Sequence, residues 1–257
     1  MKLDVFADLD HLFMINFSAP AESLEPLVPA PMRLLVREGR GFPSIVLPSI
    51  QNLRPSKLGF PRVSYELFGL RLLVECETEQ LGTTKGIYFQ RLIMDPNRHR
   101  VVANTVTPFA FERGRIEKNP QPDGSVQVHS AFATGEPAIQ VHVRASEDFP
   151  EKLTPGSCFA SADDALAMYN DITYGFLPGS GGVLHILQIA DPHPNYVAWP
   201  LRHLDVLEDS LQLVPVLAEM DLVREPCYFV GALPRYWRWL EPELSERAPN
   251  AAASRAG

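Results

Sequence analysis

Twenty-four prolines are spread through these 257 residues, and no other feature restricts the fold as much. A proline inside a helix removes a hydrogen bond and clashes with the preceding turn, so long helices do not fit between them. The pieces that remain are short, and many alternate apolar and polar residues with the period of a half-buried strand. Candidate strands fall at 9–17, 33–37, 42–51, 64–77, 86–94, 109–117, 125–132, 138–144, 183–190 and 222–232. Ten strands and few helices imply a mainly β (α+β) chain whose antiparallel sheet forms a barrel or sandwich.

Three short helices are placeable. One follows Ser18 and Pro20 in AESLEPLV, and a second opens with Asp95 as cap and Pro96 in the first turn of PNRHRVVAN. The third begins at Ser161, where a hydroxyl and the acids Asp163 and Asp164 suit the positive end of a helix dipole. With no internal repeat and no low-complexity linker, residues 1–240 read as a single domain. The small polar residues of 241–257 read as a disordered tail.

Charge narrows the partners. Acids outnumber bases by 31 to 23, giving a formal charge of -8, and no basic run can follow a phosphate backbone, so nucleic acid is not an expected partner. The start MKLDVFADLDHLF places acids where a signal peptide needs bases, and no segment approaches about 18 consecutive apolar residues. A soluble, cytoplasmic protein without a membrane partner is the expectation, and homo-oligomerisation is open to it. Cys76, Cys158 and Cys227 are few, odd in number and far apart, which suits small buried thiols in a reducing compartment.

Familiar catalytic motifs are absent: no G-x-S-x-G elbow, no phosphate-binding G-x-x-x-x-G-K-[ST], no G-x-G-x-x-G and no H-E-x-x-H. The Gly179-Ser180-Gly181-Gly182 run lies after a helix and before a strand, the wrong order for a phosphate cradle, and reads as a flexible loop. Strands 125–132 and 138–144 read as a hairpin with Ala133 opposite Ala138, which sets His129 opposite His142. Without a third ligand nearby, exposed cross-strand histidines are expected there rather than a metal, and no cofactor is expected. His185 reads as a core residue and His193 as a loop residue.

Strands 64–77 and 86–94 are more informative. If EQLGTT closes a hairpin with Thr78 opposite Lys85, Arg91 falls on the apolar face beside Leu70, Leu72, Phe89 and Ile93. Arg71, Glu75, Tyr88 and Gln90 then share the opposite face. A charged group on an apolar face must find a partner or water, so one face lines a polar pocket, or else these residues sit on a solvated outer surface.

Several stretches, in succession, resemble the YqjF-like branch of the acetoacetate-decarboxylase-like superfamily: INFSAPAESLEPLVP, LRLLVE, KGIYFQRLIMDPNRHRVVANTVTPFAF, the hairpins from FERGRIE to AIQVHVRA, the helix after Ser161, and AWPLR at 198–202. The resemblance spans roughly residues 8 to 235 and implies a curved antiparallel β-barrel or cone around a central cavity. It places Arg71 at an arginine of the family pattern and Leu67, beside Glu66, where that pattern carries an acid. Acetoacetate decarboxylases set a reactive lysine shortly after the proline matched by Pro108, and an adjacent cation activates it. Here Phe109 and Ala110 follow, and neither forms an imine. Lys85 and Lys118 flank expected turns, where they would be solvated and protonated near the ordinary lysine value.

The expectation is a small organic acid or ketone held in the cavity without Schiff-base chemistry. Arg71 would bind the anionic group, with Glu75, Gln90, Asn104 and Thr107 as polar lining. Any enzyme here would be lyase-like. The alternatives are a filled barrel with a structural or interaction role, and a lyase using a displaced lysine.

Overall fold

The computed structural model describes residues 4–57, 62–150, 152–190 and 201–244. The chain opens on the long strand β1 (Val5–Pro20), then a single helical turn α1 (Ala21–Leu24), a 3-10 turn (Glu25–Leu27) and the short strands β2 (Arg33–Leu34) and β3 (Arg40–Gly41). Three long strands follow: β4 (Pro43–Pro55), β5 (Val63–Thr78) and β6 (Gly82–Asp95). Helix α2 (Asn97–Val106) leads to β7 (Phe111–Glu112), β8 (Gly114–Pro120), β9 (Val126–Phe132) and β10 (Pro137–Ser146). After α3 (Ala162–Asn170) come β11 (Tyr174–Pro178), β12 (Val183–Ala190), β13 (Leu201–Leu213), α4 (Pro215–Ala218), β14 (Val223–Arg224), β15 (Tyr228–Val230), β16 (Leu233–Trp239) and β17 (Glu243–Leu244).

Strands β11, β13 and β16 were not expected from the sequence, and the sheet continues through Leu244, past the expected domain limit at 240. Residues 245–257, His193 and the 198–200 part of AWPLR lie outside the described residues. No helix among the described residues is long and apolar enough to cross a membrane.

Followed pair by pair, β1, β4, β5, β6, β11, β12 and β16 form a circuit that returns to β1. The sheet is mixed rather than wholly antiparallel, because β6 pairs in parallel with β11 and with β7. Strands β8, β9, β10, β13 and β15 make a second array that rejoins β1.

Strands β1, β4 and β5 are covered on both faces. Leu12, Met14, Val46 and Tyr65 turn inward to one core, while Phe13, Ile15, Ile45, Leu47, Phe68 and Leu70 pack the other against β9, β10 and β13. Burying each such large side chain contributes about 1.5–3 kcal/mol. A third cluster, including Leu24, Leu72, Val74, Phe176 and Ile186, closes one end.

Two registers differ from expectation. Thr78 pairs with Gly82 and Glu75 with Lys85, because the β5–β6 turn takes three residues before Gly82, whose φ is 65°. A bulge follows at Gln90, with Leu70 opposite Arg91 and Arg71 opposite Phe89. Arg91 therefore keeps the Leu70 face, but Phe89 joins the Arg71 face and Tyr88 the Leu72 face. In the β9–β10 hairpin, Ala131 rather than Ala133 meets the incoming strand, at Pro137, so His129 faces Gln140 and His142 faces Gln127. His142 Nε2 instead lies 2.6 Å from Ser125 Oγ.

The helix ends follow local chemistry. Ser161 Oγ accepts from the Asp164 N–H at 3.1 Å, as its sequence position predicted. At α2 the cap position is Pro96 rather than Asp95, whose carboxylate accepts from the Ile116 N–H at 2.9 Å. The glycine run after Pro178 forms a 3-10 turn in which Gly181 and Gly182 take φ of 71° and 77°. All three cysteines are buried and free.

Candidate functional site

Inside the strand circuit lies a cavity of about 160 Å³. Leu9, Leu12, Val46, Ile50, Tyr65 and Leu67 form one wall, and Ile87, Phe89, Leu92, Phe109, Leu187, Ile189 and Trp237 the other. Among the described residues two charged side chains line it, Arg71 and Arg235, and Arg235 is 4% exposed. An apolar chamber with a few convergent polar groups is the usual form of a small-molecule site.

Arg71 is held from β5 by its neighbours on β4 and β1. Its Nε donates to Ser44 Oγ at 3.3 Å, and Nη2 approaches Met14 Sδ at 3.3 Å. Ser44 Oγ donates in turn to Asn16 Oδ1 at 2.7 Å, and Asn16 Nδ2 donates to the Pro226 carbonyl at 2.7 Å. One edge of the guanidinium is thus fixed by a fully buried polar chain. No carboxylate stands within ion-pair distance of it among the described residues. Burial pushes its pKa down to about 10, so it is still a cation at neutral pH.

The five residues singled out in the sequence do not converge. Arg71 alone of them lines this cavity. Glu75, four residues along β5, borders a separate cleft of about 470 Å³ with Arg33, Glu77, Glu79 and Glu243. Gln90 is the bulge residue, and its buried Oε1 has no hydrogen-bond partner among the described residues. Asn104 ties down the chain after α2: its Nδ2 donates to the Phe111 carbonyl and its Oδ1 accepts from the Phe111 N–H, both at 2.9 Å. Thr107 Oγ1 donates to the Ala103 carbonyl at 2.8 Å and accepts from the Phe109 N–H at 3.3 Å.

Their work is to position Phe109. It reaches the cavity wall and meets Phe89, Phe111 and Trp239 with ring centroids 5.8, 5.2 and 5.5 Å away. Ala110 points to solvent. Where the decarboxylase pattern sets an amine, this chain has an aromatic wall.

Lys118 departs from the solvated position expected of it. Its side chain is only 11% exposed; Nζ lies 2.5 Å from Glu66 Oε2, 3.1 Å from His11 Nε2 and 3.2 Å from the Leu47 carbonyl. Burial lowers its pKa, and Glu66 opposes the shift. Both residues lie off the cavity, so Glu66 is committed to Lys118 while the apolar Leu67 faces Arg71's chamber. Lys85 is exposed, with Asp171 3.6 Å away. No lysine lines the cavity among the described residues.

Arg91, expected either at a pocket or at a solvated margin, is fully engaged. It donates to Glu112 at 2.8 Å and to Glu136 at 2.6 Å, and its guanidinium carbon lies 3.4 Å from the centre of the Phe132 ring. Arg235 and Trp237 were not expected in the site, because their strand carries a proline at its second position and turns an arginine inward. A tryptophan spaced two residues from an arginine was the available signal.

Comparison with solved structures supports the same architecture. The acetoacetate decarboxylase from Legionella pneumophila superposes with a TM-score of 0.57 at 12% identity, over 94% of this chain and 88% of that one. The enduracididine biosynthesis enzyme MppR, complexed with pyruvate, gives 0.57 at 12%, over 95% and 90%. An acetoacetate decarboxylase-like enzyme from Sphingomonas wittichii RW1 gives 0.55 at 10%, over 93% of each. A sequence search of curated proteins found no match. The family model DUF2071, described as an uncharacterized conserved protein, matches residues 7–171, and this chain belongs to that family, with the fold of the acetoacetate-decarboxylase-like enzymes.

Proposed function

We propose that the chain binds a small organic acid or ketone, apolar tail inward, in the cavity of the strand circuit, and does so without a lysine Schiff base. The observation that carries this reading is Arg71: a cation kept at neutral pH, anchored along one edge, lining with Arg235 a chamber of mostly apolar residues, with no carboxylate in ion-pair distance of it among the described residues. Keeping such a charge without a counter-ion costs several kcal/mol, and a bound carboxylate would offset part of that cost. The volume suits the tail, since an apolar cavity of about 150 Å³ admits benzene. A structural neighbour binding pyruvate supports the ligand class. Phe109 in the wall and the engagement of Lys118 elsewhere support chemistry, if any, that does not pass through an imine.

The test is thermal stabilisation by a panel of short carboxylates and ketones. Ligand at a hundred times Kd should add about 2.7 kcal/mol of stability. Arg71→Ala should abolish the shift for acids. A shift of equal size in Arg71→Ala would overturn the role given to Arg71, and no shift in the native protein would favour a filled, structural interior.

A further inference from the structure

Tyr169, on α3, is a second polar group whose position the fold does not explain. It is 8% exposed, and its hydroxyl is buried with no hydrogen-bond partner among the described residues. Leaving a buried hydroxyl unsatisfied is unfavourable, and native proteins rarely do so without a use for it. Its ring is fixed by Tyr228, edge-on at 6.0 Å, and by Phe159 at 6.2 Å. Tyr228 pairs across the sheet with Met14, and Met14 Sδ is the atom that touches Arg71. Tyr169 and Met14 do not line the cavity themselves but belong to the same apolar core as its wall residues Leu12, Val46 and Tyr65.

The guanidinium has a matching gap. Nε and Nη2 share one edge and are turned toward Ser44 and Met14, while Nη1 has no acceptor among the described residues. We propose that Tyr169 supplies a second donor beside Arg71, so that the site prefers an acid carrying another acceptor oxygen next to its carboxylate over the plain acid of equal length. In this arrangement the Nη1 edge takes the carboxylate and the phenol donates to the neighbouring oxygen. Each group feels the other's charge, and burial holds the Tyr169 phenol far above the ordinary tyrosine value, so it remains a donor throughout the physiological range.

This inference rests on the acid-binding reading above, and one experiment separates the two. Calorimetric titration compares 2-oxobutanoate with butanoate, and 2-oxo-4-methylpentanoate with 4-methylpentanoate, on the native protein, Tyr169→Phe and Arg71→Ala. The native protein should favour the 2-oxo member of each pair by about tenfold. Tyr169→Phe should keep the affinity for the plain acid, lose that preference, and melt no lower than the native protein when free of ligand. An unchanged preference in Tyr169→Phe overturns the role given to Tyr169 and leaves the acid site standing. A ligand-free melting temperature that falls, with both members weakened alike, makes Tyr169 a packing residue and overturns it as well. No binding of any of the four acids to the native protein removes both readings together.

Discussion

Three buried tyrosines in the core that shares residues with the cavity wall have energetics with a measurable sign. Burial raises the phenol pKa values of Tyr65, Tyr169 and Tyr228. In the unfolded chain the same groups ionise near about 10. Above that pH the folded state holds more protons than the unfolded one, so stability is fully present below it and falls as pH rises. Arg71 works in the opposite sense over the same window, because its pKa is lowered to about 10, but it is one group against three. Phenolate absorbance should therefore show these three tyrosines ionising only as the fold is lost, in step with the tertiary circular dichroism. Reversible titration of all seven tyrosines near the ordinary value, with the fold intact, would contradict this. Arg71 itself was legible in the sequence, as an arginine at a family position inside the apolar run LFGLRLLV. Tyr169 was not, because an orphaned hydroxyl is a property of its surroundings and leaves no local pattern.

Among the elements, the segment after α2 shows most clearly how a polar residue can be misread. Asn104 and Thr107 looked like ligand contacts, since each offers a hydrogen bond on a stretch beside a proline. In the fold Asn104 uses both its donor and its acceptor on the backbone of Phe111, seven residues away. Replacing it with alanine leaves both backbone groups without that partner and should cost about 1–3 kcal/mol in chemical denaturation. A loss below about 0.5 kcal/mol would mean that water substitutes for the side chain. The cap of α3 was read correctly because a serine followed three residues later by an acid is a local signal, and a local hydrogen bond realises it. Both hairpin registers were misplaced, because the β5–β6 turn is three residues rather than six and each hairpin carries a bulge. The odd-numbered slip in β5–β6 moved side chains to the opposite face, which is why Phe89 was placed on the wrong wall, whereas the two-residue slip in β9–β10 changed partners and kept the faces.

For the molecule as a whole, the β class and most long strands followed from proline spacing and alternation, while the closing joints did not. The parallel contact of β6 with β11 joins residues 87–88 to 175–176 and has no counterpart in sequence pattern. Its fit depends on Gly86, where an added Cβ would collide with the Phe176 ring and stand 2.8 Å from the Tyr174 carbonyl oxygen. Gly86→Ala should then cost about 1–3 kcal/mol by overpacking, read as a lower denaturation midpoint. An unchanged midpoint would show that the joint yields freely. Strand β16 escaped notice for a related reason: it turns Arg235 into the interior, so its alternation does not separate apolar from polar residues.

The double coverage of β1, β4 and β5 has a consequence for how such a chain can change over generations. Successive residues along these strands answer to different compartments: Leu12, Val46 and Leu67 shape the chamber, while Phe13, Ile45 and Phe68 hold the outer array in place. Alternate positions are thus two nearly separate alphabets written on one strand. A lineage can respell the chamber, exchanging an acid for a leucine on β5, without editing the letters that keep the scaffold standing.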